Sequence, residues 1–311
     1  MNALVTGAAG FIGSHLSSAL LDSGATVTGV DCFTDYYPRR LKQANLATLQ
    51  GRPGFSFVEA TLETADLKPL LGGITHVFHL AAQAGVRKSW GDDFDVYMKN
   101  NVQATQRLLE ALTAMPIQRF VYASSSSVYG GNVPLPMKED TYLQPLSPYG
   151  VTKLAAEHLA HLYWANHGVP AVSLRYFTVY GPRQRPDMGF HRFFTAIGQG
   201  KPITLYGDGE QTRDFTFVGD AVAATIAAAG QGRPGSVYNV GGGARVTLNH
   251  VLELLAKVAG RPVTIQREPD QKGDVRHTYA DTSRARQDLG FIPRVGLEEG
   301  LRAQYRWLQD V

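Results

Sequence analysis

The chain has 311 residues, 44% of them hydrophobic and 18% charged, a balance that buries one large domain or a domain with a smaller lobe. A formal net charge of +3 without any basic run argues against a nucleic-acid binder, no apolar stretch is long enough to span a membrane, and the single cysteine, Cys32, excludes an internal disulfide. With only Met1 and Asn2 ahead of the first apolar run, no signal peptide is expected. The reading is a cytoplasmic protein whose small positive excess suits a phosphate-bearing small molecule.

Along the chain, short apolar runs alternate with helical patterns, the rhythm of a parallel α/β sheet. Ala3-Leu4-Val5 reads as a buried strand; Ile12, Leu16, Ala19 and Leu20 then recur at helical spacing until Gly24, and Val27 to Val30 is the second strand. Further strands are expected at Phe55 to Val58, Val77 to Leu80, Phe120 to Ala123 and Val172 to Tyr176, with helices around Val102–Leu112 and Lys153–Asn166. After Tyr180, Gly, Pro, Arg and Asp crowd Gly181 to Gly189, and Pro202 and Gly207-Asp208-Gly209 follow. That texture predicts a loop-rich lobe above the sheet, where a ligand would sit. Val237 to Val240 looks like a strand returning to the sheet, so the two regions interleave: 1–177 with a returning segment near 215–240, and 178–311.

Gly7-Ala8-Ala9-Gly10-Phe11-Ile12-Gly13 lies between the first strand and the first helix. Glycines there permit a tight turn and bring backbone N–H groups up to a pyrophosphate at the helix N-terminus. The spacing is GxxGxxG, and by itself such a turn is equally a tight strand-to-helix connection. Its place in a β-α-β unit, with Asp31 ending the next strand, turns the reading toward a dinucleotide. Asp31 can accept from both ribose hydroxyls and repels a 2′-phosphate, which favours NAD, although Arg39 and Arg40 nearby keep NADP open. The fold expected is α/β: a Rossmann-type, doubly wound parallel sheet with a smaller, interleaved C-terminal lobe.

Tyr149-Gly150-Val151-Thr152-Lys153 places a tyrosine and a lysine four residues apart, on one face of a helix. A free phenol titrates near pH ~10; an adjacent ammonium and a positive nicotinamide both favour the phenolate, making Tyr149 a usable base. Alone the pair most often marks an ordinary helix. Ser124 to Ser127, however, end the preceding strand at the carboxyl edge where such sheets bind ligands.

Taken in order, several segments resemble the extended short-chain dehydrogenase/reductase family, and its nucleotide-sugar epimerases in particular. They are the glycine turn, His79 to Gln83, Asn101-Val102, Ser124 to Gly130, Tyr149/Lys153, Arg175-Tyr176-Phe177, Tyr206 to Gly209 and Arg213-Asp214-Phe215. The resemblance implies that Ser125, Tyr149 and Lys153 are catalytic and that Asn101 supports the active-site helix while belonging to the cofactor site. It further implies that Leu80, Ala81, Ala82, Gln83 and Tyr176 line an NAD cleft with Gly7, Gly10, Phe11, Ile12, Gly13 and Asp31. Arg213 and Arg276 would hold a substrate diphosphate, with Tyr206, Ser126 and Ser127 alongside; relatives usually pair as homodimers through the helices near Val102 and Lys153. Two departures stand out. Thr61 occupies the place of an Asp that touches adenine in many relatives, and Ser127 the place of the acid that dehydratases and decarboxylases carry.

Asp31 to Tyr37, Leu41-Lys42-Gln43, Phe177 to Pro182 and Arg185 to Met188 resemble the loops of UDP-glucuronate 4-epimerases, with Thr178 where UDP-glucose epimerases usually have asparagine. A buried hexuronate carboxylate demands a charged partner or several donors. Arg185, or Arg87, is the candidate for that carboxylate, and either can equally serve the diphosphate. UDP-glucose epimerisation, a decarboxylase or dehydratase on the same fold, and a silent NAD-binding scaffold stay open as alternatives.

Overall fold

Runs of Val, Leu, Ala and Phe too short for a helix and flanked by glycine form buried strands; the amphipathic stretches between them form the helices that cover both faces. A computed structural model describes residues 1–310. The first half runs β1 (Asn2–Thr6), α1 (Phe11–Asp22), β2 (Thr26–Asp31), α2 (Arg39–Ala47), β3 (Phe55–Glu59), α3 (Leu67–Leu71), β4 (His76–His79), α4 (Phe94–Tyr97), α5 (Ala104–Leu112), β5 (Arg119–Ser125), α6 (Pro148–His167) and β6 (Ala171–Tyr176). The second half runs β7 (Val179–Tyr180), α7 (Gly189–Gly198), β8 (Ile203–Tyr206), β9 (Thr212–Asp214), β10 (Thr216–Phe217), α8 (Val218–Gln231), β11 (Val237–Val240), β12 (Arg245–Thr247), α9 (Leu248–Ala259), β13 (Ile265–Glu268), α10 (Ser283–Leu289) and α11 (Leu297–Gln309).

Seven strands form one sheet in the order β3-β2-β1-β4-β5-β6-β11, every neighbouring pair parallel. This is the doubly wound, Rossmann-type sheet that the sequence implies. Strand order reverses between β1 and β4, so a crevice opens at their carboxyl ends. On one face Leu16 and Leu20 of α1 pack with Ala221, Ala224 and Ala228 of α8. On the other, Leu108 and Leu109 of α5 pack with Ala156 and Ala160 of α6. A third cluster (Phe190, Phe194, Leu205, Val251, Leu255, Leu301) forms the core of a smaller lobe made by α7, β8, α9 and α11.

Two helices depart from the expected bounds. The one expected near Val102 begins earlier, because α4 runs through a π-helical segment, Met98–Gln103, into α5. The helix α6 begins at Pro148, not Lys153: Ser147 caps it, its Oγ accepting from Gly150 N at 3.1 Å, and Pro148 occupies the first turn. Tyr149 therefore stands in the first turn of a 20-residue helix. No helix among the described residues is long and apolar enough to cross a membrane.

Candidate active site

A cleft of about 920 Å³ opens at the switch point and continues under the smaller lobe. At its floor α1 starts with Gly10 at the cap position, and no side chain caps it, so the first-turn N–H groups remain available to an anion. A side chain at Gly13 would run into the Gly7 carbonyl, so helix and turn approach closely only with glycine there. Asp31 closes the end of β2; its carboxylate accepts from Ala9 N (3.2 Å) and Phe33 N (2.9 Å). Burial pushes the Asp31 carboxyl up, and these backbone donors and Lys42 oppose it. A free helix N-terminus, a turn that admits no Cβ and a ribose-reaching carboxylate fit a dinucleotide. Arg39 does not contest that reading, because it is engaged bidentately by Glu59 (2.9 and 2.6 Å) and stacks on Phe33, and neither it nor Arg40 lines the cleft. Leu80, Ala81, Ala82, Gln83 and Tyr176 line the same space. Thr61 does not; Ala60, Leu62 and Glu63 take its place there.

Asn101 corrects one expectation. It is 1% exposed and lies behind the cleft wall instead of lining it. Its Oδ1 accepts from Gln83 N (2.7 Å), and its Nδ2 donates to Gln83 O (3.0 Å) and to Thr152 Oγ1 (3.0 Å) on α6. The π-helical turn thereby clamps the cofactor wall to the helix carrying Tyr149, the support of that helix that the resemblance implies, from a position outside the cleft lining. Behind it Thr105 donates to Asn101 O (2.6 Å), which leaves Thr105 Oγ1 to accept from His79 Nε2 (2.9 Å). His79 Nδ1 meets Thr6 Oγ1 (2.8 Å), and Ala81 N donates to Thr6 (3.1 Å). Burial lowers His79 to about 3, so it serves this chain as a neutral ring.

The chemistry sits where β5 ends. Ser125 terminates the strand, its Oγ accepting from Ser127 N (3.1 Å), and Ser126 and Ser127 turn away in a 3₁₀ helix. A Cβ on Gly150 would clash with the Ser127 carbonyl, so glycine there lets the start of α6 press against the serines. Tyr149, Lys153 and the three serines all face the cleft. Burial raises the Tyr149 phenol, while a hydrogen bond with Ser125 and the charge of Arg185 pull it back down. Burial lowers the Lys153 ammonium to about 7, with Glu157 opposing; its Nζ lies 4.4 Å from the centre of the Tyr122 ring. A phenol, an ammonium and a hydroxyl thus share one stretch of the cleft wall.

Around the outer part of the cleft stand Thr178, Arg185, Arg87, Tyr206 and Arg213. Arg185 is engaged by Asp187, Nε to Oδ1 at 3.0 Å and Nη2 to Oδ2 at 2.9 Å. Arg87 pairs with Asp274 (2.7 Å) and stacks on Tyr206 at 4.2 Å. Arg213 donates to the carbonyls of Thr212 (2.9 Å) and Arg276 (3.0 Å). Arg276 itself departs from expectation: its guanidinium pairs with Asp208 (2.7 Å) on the surface, about half exposed, and it does not line the cleft. Only its backbone carbonyl reaches the site, through Arg213. Residues of the loops that resemble UDP-glucuronate 4-epimerases, none of them named above as site residues, also converge here. Tyr36 donates to Asp187 (3.3 Å), and Lys42 donates to Thr34 O (2.7 Å) beneath Tyr37. Gln184, Phe190, Phe193, Gln211 and Leu248 also line the cleft. Those positions carry no local signal, since only the tertiary fold brings them to the cleft.

A glycine-turn cleft over a parallel sheet, with a Tyr/Lys pair one helical turn apart beside a strand-end serine, defines a dinucleotide-dependent enzyme of the short-chain dehydrogenase/reductase type. The chain belongs to the NAD dependent epimerase/dehydratase family, whose model matches residues 3–241, and NAD is its cofactor. It is 47% identical over 316 residues to an uncharacterised UDP-glucose epimerase, YtcB, of Bacillus subtilis, covering 100% of this chain and 99% of that protein. It is 38% identical over 314 residues to a UDP-glucuronate 4-epimerase of Thermodesulfobacterium geofontis, covering 99% and 96%. A crystal structure of UDP-glucuronic acid 4-epimerase from Bacillus cereus, in complex with UDP-glucuronic acid and NAD, superimposes with a TM-score of 0.97 at 45% identity, covering 100% of this chain and 99% of that one.

Proposed function

We propose that this enzyme interconverts UDP-glucuronate and UDP-galacturonate by inverting carbon 4 of the hexuronate. One observation carries the reading: Ser125, Tyr149 and Lys153 share a single cleft with Thr178 and Arg185, so a 4-hydroxyl and a nearby carboxylate have partners at the same time. Gly7, Gly10, Phe11, Ile12, Gly13, Asp31 and the wall from Leu80 to Gln83 hold the cofactor in this reading. NAD, when bound, accepts hydride from carbon 4 and returns it. Tyr149 takes the 4-hydroxyl proton, helped by the Lys153 charge, and Ser125 holds the same oxygen. The resulting 4-keto sugar turns over in the cleft, and Tyr149 gives the proton back when the opposite face is reduced. Arg185 grips the carboxylate; Arg87, Arg213 and Tyr206 serve the diphosphate and nucleoside.

The carboxylate contact has a second purpose. A 4-keto glucuronate is a β-keto acid, and it loses carbon dioxide only when the breaking bond stands perpendicular to the carbonyl plane. A residue that holds the carboxylate still protects the intermediate. Ser127, in place of an acid, leaves elimination and decarboxylation without the usual proton-handling group.

UDP-glucose is the second reading, favoured by the likeness to the uncharacterised UDP-glucose epimerase of Bacillus subtilis. Incubating the protein with each UDP-sugar separately and resolving the products by chromatography decides between them. Association as a homodimer in the cytoplasm belongs to the same proposal. It is supported by Val96, Met98, Val151 and Leu162, large apolar side chains left exposed on α6 and on the α4–π segment.

A further inference from the structure

Tyr149, Lys153 and Glu157 follow one another at four-residue spacing on one face of α6. Glu157 is 4% exposed and saturated with donors. Ser124 Oγ donates to its Oε2 at 2.6 Å, and the Arg175 fork reaches both carboxylate oxygens, Nε at 3.1 Å and Nη2 at 2.6 Å. Ser124 and Arg175 are register partners across β5 and β6, and Ser124 immediately precedes Ser125. The remaining Arg175 nitrogen donates to Tyr129 Oη (2.9 Å), whose hydroxyl donates to Asn239 (2.7 Å) on β11. Apolar packing alone lets a helix slide along a sheet; a bidentate, charge-assisted pin to two adjacent strands does not.

We propose that Glu157 is a positioning residue of the reaction: it locks the helix bearing Tyr149 and Lys153 onto the strand bearing Ser125, and it presents a fixed negative charge to Lys153. The proposal rests on the reading of Tyr149 as the base. The surroundings of Lys153 support it. Tyr122 of β5 lies beneath the ammonium with its phenol pushed well up by burial, hence neutral, and His79 of β4 is neutral as well. Arg175 of β6 is spent on Glu157, and Tyr97 of α4 meets Tyr149 edge-on at 6.3 Å with its own phenol raised to about 12. Among the described residues facing Lys153, Glu157 alone is anionic and opposes the effect of burial on the ammonium.

The electrostatic half of the test needs no substrate. The Tyr149 phenol is titrated by ultraviolet difference absorbance in NAD-loaded protein, wild type against Tyr149→Phe, and again in a Glu157→Gln background. The expected result is titration about half a unit or more higher, a threefold loss of phenolate at fixed pH. With a turned-over UDP-sugar, kcat falls roughly tenfold while KM stays within about twofold, and the alkaline limb set by Lys153 moves to lower pH. Glu157→Asp, which keeps the charge, restores the titration but not the rate. Ser124→Ala, which keeps the charge and loosens the pin, lowers kcat without moving the titration. Should Glu157→Gln fail to fold because it strands Arg175, Glu157→Gln/Arg175→Met carries the same direction with a smaller shift, because the cation that offsets Glu157 leaves with it. An unmoved phenol titration overturns the electrostatic role, and wild-type kcat in Ser124→Ala overturns the register role. Because the titration is read without a sugar, it survives if UDP-glucuronate proves not to be the substrate.

Discussion

The proposed grip of Arg185 on a substrate carboxylate is open to direct substitution, and the structure sets the size of the effect. Its fork is filled by Asp187 at 3.0 and 2.9 Å, with side-chain exposures of 21% and 29%. A pair that open to solvent is worth at most about 1 kcal/mol, whereas a charge-assisted bond to a desolvated substrate carboxylate is worth roughly 1.5–3 kcal/mol. A ligand carboxylate can therefore outcompete Asp187. Net of the displaced Asp187 pair, Arg185→Ala should weaken UDP-glucuronate by about two- to thirty-fold while UDP stays within about twofold. Asp187→Asn, which frees the fork, should tighten UDP-glucuronate by up to about fivefold, the full value of the lost pair. In Arg185→Ala the keto intermediate is also free to rotate its carboxylate, so a share of turnovers should end as a decarboxylated 4-keto pentose with NADH left on the enzyme. Calorimetry with UDP and UDP-glucuronate, and quantification of the pentose, measure all three. Equal losses for both ligands and no pentose would assign Arg185 to the diphosphate and refute the carboxylate argument.

The protein should purify with NAD(H), released by acid and identified by chromatography; recovery of mainly NADP(H) would contradict the role given to Asp31. Tyr149→Phe should retain its cofactor and thermal transition while turnover drops by a factor on the order of 10² to 10⁴, and near-normal turnover would remove Tyr149 as the base. Burial holds His79 at about 3 and His15, bonded to Pro182 O at 2.9 Å, at about 4. Both are depressed below the unfolded value near ~6.5, so the unfolded chain binds more protons and stability present above that value falls as pH drops toward 4. Urea midpoints at pH 7, 5.5 and 4.5 should fall in that order and fall less steeply in His15→Gln; identical slopes in the two proteins would contradict the assignment to His15.

The parts of the site that were legible in the sequence are those that lie within one or two turns of each other. The glycine turn, the tyrosine and lysine one turn apart and the serines at a strand end are local patterns whose geometry follows from helix and strand periodicity. Asp31 was legible because β-α-β connectivity fixes where the second strand ends. The start of α6 was also present, since Ser147-Pro148 is a cap followed by a first-turn proline. Contacts across long sequence separations were not. That Asn101 clamps Gln83 to Thr152 depends on a π-helical turn, and that Arg276 turns outward depends on Asp208, 68 residues away. Glu157 and Arg175 look like an ordinary helical acid and a strand cation until β5 and β6 bring Ser124 and Arg175 onto the same carboxylate. The loop from Phe33 to Tyr37 reaches Arg185 and Asp187 only because the smaller lobe folds back over the cofactor cleft.

The most direct test of the central claim is to incubate the NAD-loaded enzyme with UDP-glucuronate deuterated at carbon 4 and to follow the products and the absorbance at 340 nm together. The expected product is UDP-galacturonate that keeps the deuterium at carbon 4, approached from either sugar to the same equilibrium, with no net accumulation of NADH. Loss of the label, accumulation of NADH with carbon dioxide, or turnover of UDP-glucose alone would contradict it.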